Sequence, residues 1–192
     1  MRKESPIKSV KDMAEAGRPI KFASTGVGAI TWTEANALAG LLKFKLSFVL
    51  GYKKLADAAV AVAKGDAEAG LGGVAHFRGV KDDVRPIMFF GSERDPHYPD
   101  VPSAGELGLK RLTALGAPRI IVAPPGTPKD RVLVFREAVK RAAADPKFRE
   151  WIKNAGMYLK PQDPKSTWDD LGEQGKVFAS LADAVRAAQK GK

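Results

Sequence analysis

Three short apolar runs in the first half of the chain each stop at a glycine-bearing loop, and helix-period patterns separate them. Ile20-Lys21-Phe22-Ala23 reads as a buried strand that ends in Ser24-Thr25-Gly26-Val27-Gly28. Ala35, Leu38, Leu41 and Leu42 then recur at three- and four-residue spacing, which is one face of a helix. Residues 45–50 alternate polar and apolar, as a half-buried strand does, and Gly51 closes them. Leu55, Ala58, Ala59 and Val62 mark a second helix over 54–63, ended by Gly65. Residues 67–71 and 84–90 read as further strands. Parallel neighbours need crossover connections of this kind, so the β-α-β-α-β order predicts an α/β lobe with a largely parallel sheet.

The second half is different in kind. Residues 120–123 predict a short apolar strand, followed by the loop Pro124-Pro125-Gly126. Thr127 reads as a helix N-cap with Pro128 at the first helical position and Asp130 at the positive helix end. Val132, Phe135, Val139 and Ala142 give that helix an apolar face. Asp145-Pro146 breaks it, and a further helix over 147–154 closes at Gly156. A last helix over about 164–188 carries Val177, Phe178, Leu181, Ala184 and Val185 as its apolar stripe. Three helices and one strand cannot bury all these stripes among themselves, so this half needs a sheet that it does not contain.

The 192 residues allow one large domain or two small lobes, and 44% hydrophobic with 28% charged residues is the composition of a folded protein. No apolar run approaches the roughly 20 residues of a membrane-spanning helix. The absence of cysteine excludes disulfides, thiolate metal sites and a cysteine nucleophile. A net charge of +10 permits nucleic acid, acidic lipid or small carboxylates as partners. The basic residues form no stripe, arm or recognised motif, which ranks nucleic acid last. Met1-Arg2-Lys3-Glu4-Ser5-Pro6 is basic without an apolar stretch behind it, so it does not read as a secretory signal; a mature form and a cytosolic protein both fit.

Ser24, Thr25, Gly26, Val27 and Gly28 lie between a strand and a helix, where small residues, hydroxyls and N–H groups at a helix start can hold a carboxylate or phosphate. The same residues also suit a plain tight turn. Tyr52 and Lys53 follow the next strand, at the end that faces the ligand crevice in open α/β sheets, and otherwise read as solvated surface residues. Gly72 and Gly73 permit either a loose turn or close backbone approach to a ligand. His76 and His97 have no metal-ligand or nucleophile spacing, with His97 in a turn-rich loop, and Glu34 and Glu68 read as isolated surface charges. Nothing here predicts catalysis, a metal or a cofactor.

A family resemblance extends along nearly the whole chain. Pro6 to Met13 resembles a "P-x-K-x-V-x-D" helix start, and residues 22–28 resemble a glycine/serine loop. Residues 49–53 fall where the family carries "V-P-Y-K-G", and residues 64–68 where it carries "G-G-Q-V-D". Arg85-Pro86-Ile87, Arg94 and residues 98–108 follow the order "R-A-L-A…R…x-P-D-V-P-T-x-x-E-x-G". Residues 123–130 are similar to "A-P-x-G-T-P-x-x", with Ala144-Asp145-Pro146 and Ala155-Gly156 beyond. The family is that of the extracytoplasmic solute receptors of tripartite tricarboxylate transporters, the Bug or TctC type.

That resemblance implies a type II periplasmic-binding-protein-like α/β fold. One near-complete α/β lobe would span 7–115, and a helix-rich partial lobe over 116–192 would return to an incomplete first lobe. It implies a non-enzymatic, periplasmic receptor without cofactor or metal, which takes a small carboxylate-bearing solute to the transporter's membrane subunits. A truncated or cytosolic ligand-sensing or interaction domain of the same fold, with no transport role, is the alternative, and exposed first-lobe helices would allow homo-oligomers. Ser24, Thr25, Gly26, Val27, Gly28, Tyr52, Lys53, Gly72 and Gly73 would line the solute site. Lys54 stands where the family usually has glycine, and Gly72-Gly73 where many members carry Asp-Asn. The added cation and lost acid imply a more anionic solute, or a loss of binding of polar ones.

Overall fold

A computed structural model describes residues 1–115, 119–157, 159 and 161–190, with side chains described through residue 180. The chain forms two compact units, residues 1–117 with 172–192 and residues 118–171.

The larger unit is built on a three-stranded parallel sheet of order β2-β1-β3, comprising β1 (Ile20–Ala23), β2 (Leu46–Val49) and β3 (Ala69–Gly70). Helix α1 (Val10–Ala14) precedes it; Ser9 caps it and Asp12 completes a reciprocal capping box. Helix α2 (Ile30–Leu42) joins β1 to β2, and α3 (Leu55–Lys64) joins β2 to β3 past the central β1. In β1, Ile20 and Phe22 enter the core that holds Ala35, Leu38 and Ala39 of α2. Ala23 enters the cluster that holds Ala58 and Val62 of α3. Because alternate strand residues face opposite sides, α2 and α3 cover opposite faces of the sheet. Gly65 ends α3 in the left-handed conformation, φ 90°, as its sequence position predicts. Helix α4 (Val74–Phe77), a 3-10 turn (Arg78–Val80) and α5 (Lys110–Thr113) follow.

Three expected strands come out differently. The third shrinks to Ala69–Gly70. Residues 84–90 form no strand; their pairing is limited to isolated bridges from Val84 to Arg2 and from Phe89 to Ser103. Arg85 accounts for part of this, because its guanidinium donates to the carbonyls of Lys3, Ser5 and Ile7 and gathers the N-terminal segment beside residues 83–85. Residues 120–123 form no strand either, and Ile121 and Val122 are exposed.

The smaller unit holds α6 (Lys129–Ala144), α7 (Pro146–Asn154) and the start of α8 (Pro164–Lys190). Pro128, rather than Thr127, is the N-cap of α6. The Thr127 hydroxyl instead donates to the Pro124 carbonyl at 2.7 Å. Asp145 caps α7 by accepting from the Phe148 N–H, with Pro146 in the first turn. Gly156 (φ 63°) and Met157 close α7 by donating to the Lys153 and Ile152 carbonyls, a Schellman ending. Among the described residues of this unit only Ala143 is buried, while Leu133, Val134, Phe135, Phe148, Trp151 and Trp168 are exposed. In α8, Val177 and Phe178 pack on the core of the larger unit. Leu181, Ala184 and Val185 lie outside the residues whose side chains are described.

Candidate functional site

All three strands end at the same edge of the sheet, with Ala23 opposite Val49 on one side and Gly70 on the other. Residues 24–28, 52–53 and 72–73 therefore leave adjacent strand ends, with the 24–28 loop in the middle. After β1 the chain turns to α2 on one face. After β3 it turns to α4, which packs on α3 on the other face. In open α/β sheets such divergence between adjacent parallel strands, here β1 and β3, marks the position at their carboxyl ends where ligands bind.

Within the central loop, Ser24 is buried and held from two sides. Its N–H donates to the Val49 carbonyl at 3.0 Å, and its hydroxyl lies 3.0 Å from that of Thr31. Thr25 and Gly26 are half-buried, whereas Val27 and Gly28 are exposed. Gly28 has φ 80°, the left-handed turn that brings the chain into α2. The Ala29 N–H closes this turn on the Gly26 carbonyl at 3.2 Å. No side chain caps α2, so its first N–H groups have no intrahelical acceptor and point toward the loop end of the sheet.

Tyr52 is half-buried and packs on the Ala58 and Val62 cluster. Burial, with the nearby Asp66 carboxylate, pushes its phenol upward and keeps it a hydroxyl donor. Lys53 and Lys54 are exposed beside it, and the Lys54 N–H is held by Asp57 at 3.1 Å. A shallow depression of about 270 Å³ lies along α3, lined by Tyr52, Asp57, Val60, Ala61, Lys64 and Asp66. It shares only Tyr52 with the residues named from the sequence. Gly72 and Gly73 are exposed. A side chain at Gly72 would meet Phe77 at 3.4 Å and His76 at 3.5 Å, ordinary contact distances.

The two carboxylates read as surface charges divide. Glu68 pairs with Arg18 through two 2.7 Å bonds. Glu34 is buried in α2 at 8% exposure, and burial pushes its carboxyl up to about 7. The signal was present, because Thr31, Glu34, Leu38 and Leu41 share the three- and four-residue spacing of one helix face. Among the described residues no three metal-ligating side chains converge.

Residues 1–168 match the TctC family, the tripartite tricarboxylate transporter family receptors. The chain belongs to the TctC receptor family. No curated protein matches the sequence. Among solved structures, a TctC solute-binding protein from Polaromonas, determined without ligand, superposes with a TM-score of 0.74 at 16% identity. The periplasmic binding protein BugD superposes with a TM-score of 0.68 at 22% identity. Each comparison covers 95% of this chain and 64% of the other, so this TctC-family chain spans less than two thirds of the length of those relatives. At these identities the likeness establishes the fold, a periplasmic-binding-protein α/β architecture. Membership in a receptor family agrees with the non-enzymatic expectation. Among the described residues no helix is long and apolar enough to cross a membrane.

Proposed function

We propose that this TctC-family chain captures a small carboxylate-bearing solute in the periplasm and presents it to the membrane subunits of a tripartite tricarboxylate-type transporter. The observation that carries the reading is the convergence of residues 24–28, 52–53 and 72–73 on one edge of the parallel sheet. In this reading Thr25, Gly26, Val27 and Gly28 offer backbone and hydroxyl groups to one carboxylate near the uncapped start of α2, where the helix dipole favours negative charge. Ser24 holds that loop in place through Val49 and Thr31. Tyr52 and Lys53 add a hydroxyl and a charge on one flank, and Gly72 and Gly73 keep the other flank open. Lys54, with no acid at 72 or 73, favours solutes of higher negative charge. Residues 7–115 correspond to the receptor's second lobe, and the later residues return toward the first.

A thermal-shift screen against mono-, di- and tricarboxylates, nicotinate and amino acids tests the reading. A solute at 100 times its dissociation constant stabilises by about 2.7 kcal/mol, which raises the melting temperature by roughly 5–10 °C for a chain of this size. The expected result is a selective shift that Tyr52→Ala and Lys53→Ala diminish. A cooperatively melting protein with no shift for any member overturns it.

A second reading, an interaction domain of the same fold, draws on the exposed apolar side chains of residues 118–171, with Phe148 and Trp151 stacked at 5.9 Å. Light scattering decides whether copies of the chain associate through them. A monomer in solution removes the homo-oligomer from this reading.

A further inference from the structure

Helix α7 has a complete apolar face that nothing in its own unit buries. Phe148, Trp151, Ile152 and Ala155 follow one another at three- and four-residue spacing, the period of one helix face. None of them is buried, and Trp151 is 59% exposed. The Phe148 and Trp151 rings stack on each other at 5.9 Å, so the two aromatics form one ridge. Lys147 lies four residues before Trp151, one turn away on the same side of the helix. Arg149 ties the start of α7 to the end of α6 by donating from Nε to the Ala143 carbonyl at 2.8 Å. Single exposed apolar side chains are ordinary, whereas a whole face of them marks a surface for a partner.

Charge decides which partner fits. Residues 129–154 carry eight lysines and arginines against four carboxylates, all of them exposed. Two of those carboxylates are already engaged, Asp145 as the cap of α7 and Glu137 in a 2.9 Å pair with Lys140. A second copy would bring the same cationic excess, within a chain of net charge +10, so repulsion opposes self-association through this surface. An anionic surface is attracted. Aromatic rings beside lysine and arginine on an amphipathic helix suit the headgroup layer of a bilayer. There the rings enter the acyl boundary while the basic heads stay among the phosphates.

We propose that α7 docks this protein on an anionic phospholipid surface, with Phe148 and Trp151 entering the interface and Lys147 meeting a phosphate headgroup. The cations of α6 and α7 supply the longer-range attraction. At 9 residues α7 is far too short to span a bilayer, so it lies on the surface. The proposal uses residues 129–155 alone and is independent of the solute reading.

Flotation of the full chain with vesicles of equimolar phosphatidylglycerol and phosphatidylethanolamine, beside phosphatidylcholine vesicles, tests it. Binding is expected on the anionic vesicles at low salt, with little on phosphatidylcholine and a loss at high salt. Trp32 is buried, so Trp168→Phe leaves Trp151 as the exposed indole, and its emission should shift to the blue on binding. Phe148→Ala combined with Trp151→Ala should weaken binding at least about tenfold and retain the melting temperature, since neither ring is buried. Lys147→Gln should weaken it about fivefold at low salt and have no effect at high salt. The emission shift and Lys147→Gln decide the matter if the alanine variant does not fold. No binding to the anionic vesicles, or equal binding to phosphatidylcholine, overturns the proposal. Binding that the alanine variant leaves undiminished also overturns it, because charge alone then accounts for the attraction. A dimer seen by light scattering without vesicles, and dispersed by Trp151→Ala, assigns the face to a second copy and overturns it as well.

Discussion

The Ser24 hydroxyl lies 3.0 Å from the Thr31 hydroxyl, and both side chains are buried. This pair fastens the loop after β1 to the first turn of α2, across the turn at Gly28. It also means that Ser24 faces the protein interior while Thr25 to Gly28 form the part of the loop nearer solvent. Removing one hydroxyl leaves the other without its buried partner, so Ser24→Ala and Thr31→Val should each cost about 1–2 kcal/mol. The double variant should cost less than the sum, because both unsatisfied groups then disappear. Urea unfolding of the four proteins measures the coupling; strict additivity would show that the two hydroxyls do not act together.

Glu34 gives the fold a pH dependence of unusual sign for a carboxylate. Burial raises its folded value from 4.5 to about 7, so between these values the native state holds a proton that the unfolded chain has lost. Stability is then highest below about pH 4.5, falls as pH rises toward 7, and levels off above it. The full difference is at most about 3 kcal/mol. Glu68 and Glu106, both held below their ordinary range chiefly by Arg18 and by the Ser103 N–H, act in the opposite direction. Comparison with Glu34→Gln isolates the effect. The glutamine variant should be more stable than the wild type at about pH 8 and lose that advantage at about pH 5. A constant difference across this range would contradict the assignment.

The sequence carries the β-α-β-α-β order because changes between strand and helix are punctuated locally, by Gly28 after β1, Gly51 after β2 and Gly65 after α3. It misleads at residues 84–90 and 120–123. Their apolar runs have the composition of strands, but a strand also needs a partner edge, which no local pattern encodes. Arg85 takes the N-terminal carbonyls instead, and Ile121 and Val122 are exposed without strand pairing among the described residues. The three loops of the candidate site were legible for the same reason as the strands, since parallel topology brings their ends to one edge. The inward turn of Ser24 and the burial of Glu34 depend on tertiary packing.

Arg85 should matter for stability more than its position outside the site suggests. Its side chain donates to three carbonyls, with the Ile7 contact at 3.1 Å, while its buried Nε is without a hydrogen-bond partner. Arg85→Met leaves all three carbonyls without this donor and should cost about 2–3 kcal/mol. Arg85→Lys should recover only part of this, because one ammonium cannot reproduce the planar fork. Limited proteolysis should detect the release as faster cleavage within residues 1–8. Full wild-type stability in the lysine variant would show that the fork geometry contributes nothing.

Gly105 sits where the segments 89–92 and 102–105 lie against each other. The Ala104 N–H donates to the Phe89 carbonyl at 2.8 Å, the Gly105 N–H to the Gly91 carbonyl at 3.0 Å, and the Ser103 hydroxyl to the Ser92 carbonyl at 3.2 Å. A β-carbon on residue 105 would stand 2.3 Å from the Ser92 carbonyl oxygen, a backbone atom that cannot swing aside without breaking these bonds. Gly105→Ala should therefore cost about 2–3 kcal/mol, at the upper end of ordinary overpacking, and loosen the nearby Arg94–Glu106 ion pair of 2.9 Å. Gly108 provides the contrast, since a β-carbon there meets nothing within 4 Å but the backbone is left-handed at φ 73°. Gly108→Ala should cost only the conformational penalty of about 1–2 kcal/mol. Denaturation of the two variants separates a steric from a conformational need for glycine; a Gly108→Ala cost equal to or above that of Gly105→Ala would place the constraint in the backbone angle rather than in the contact with Ser92.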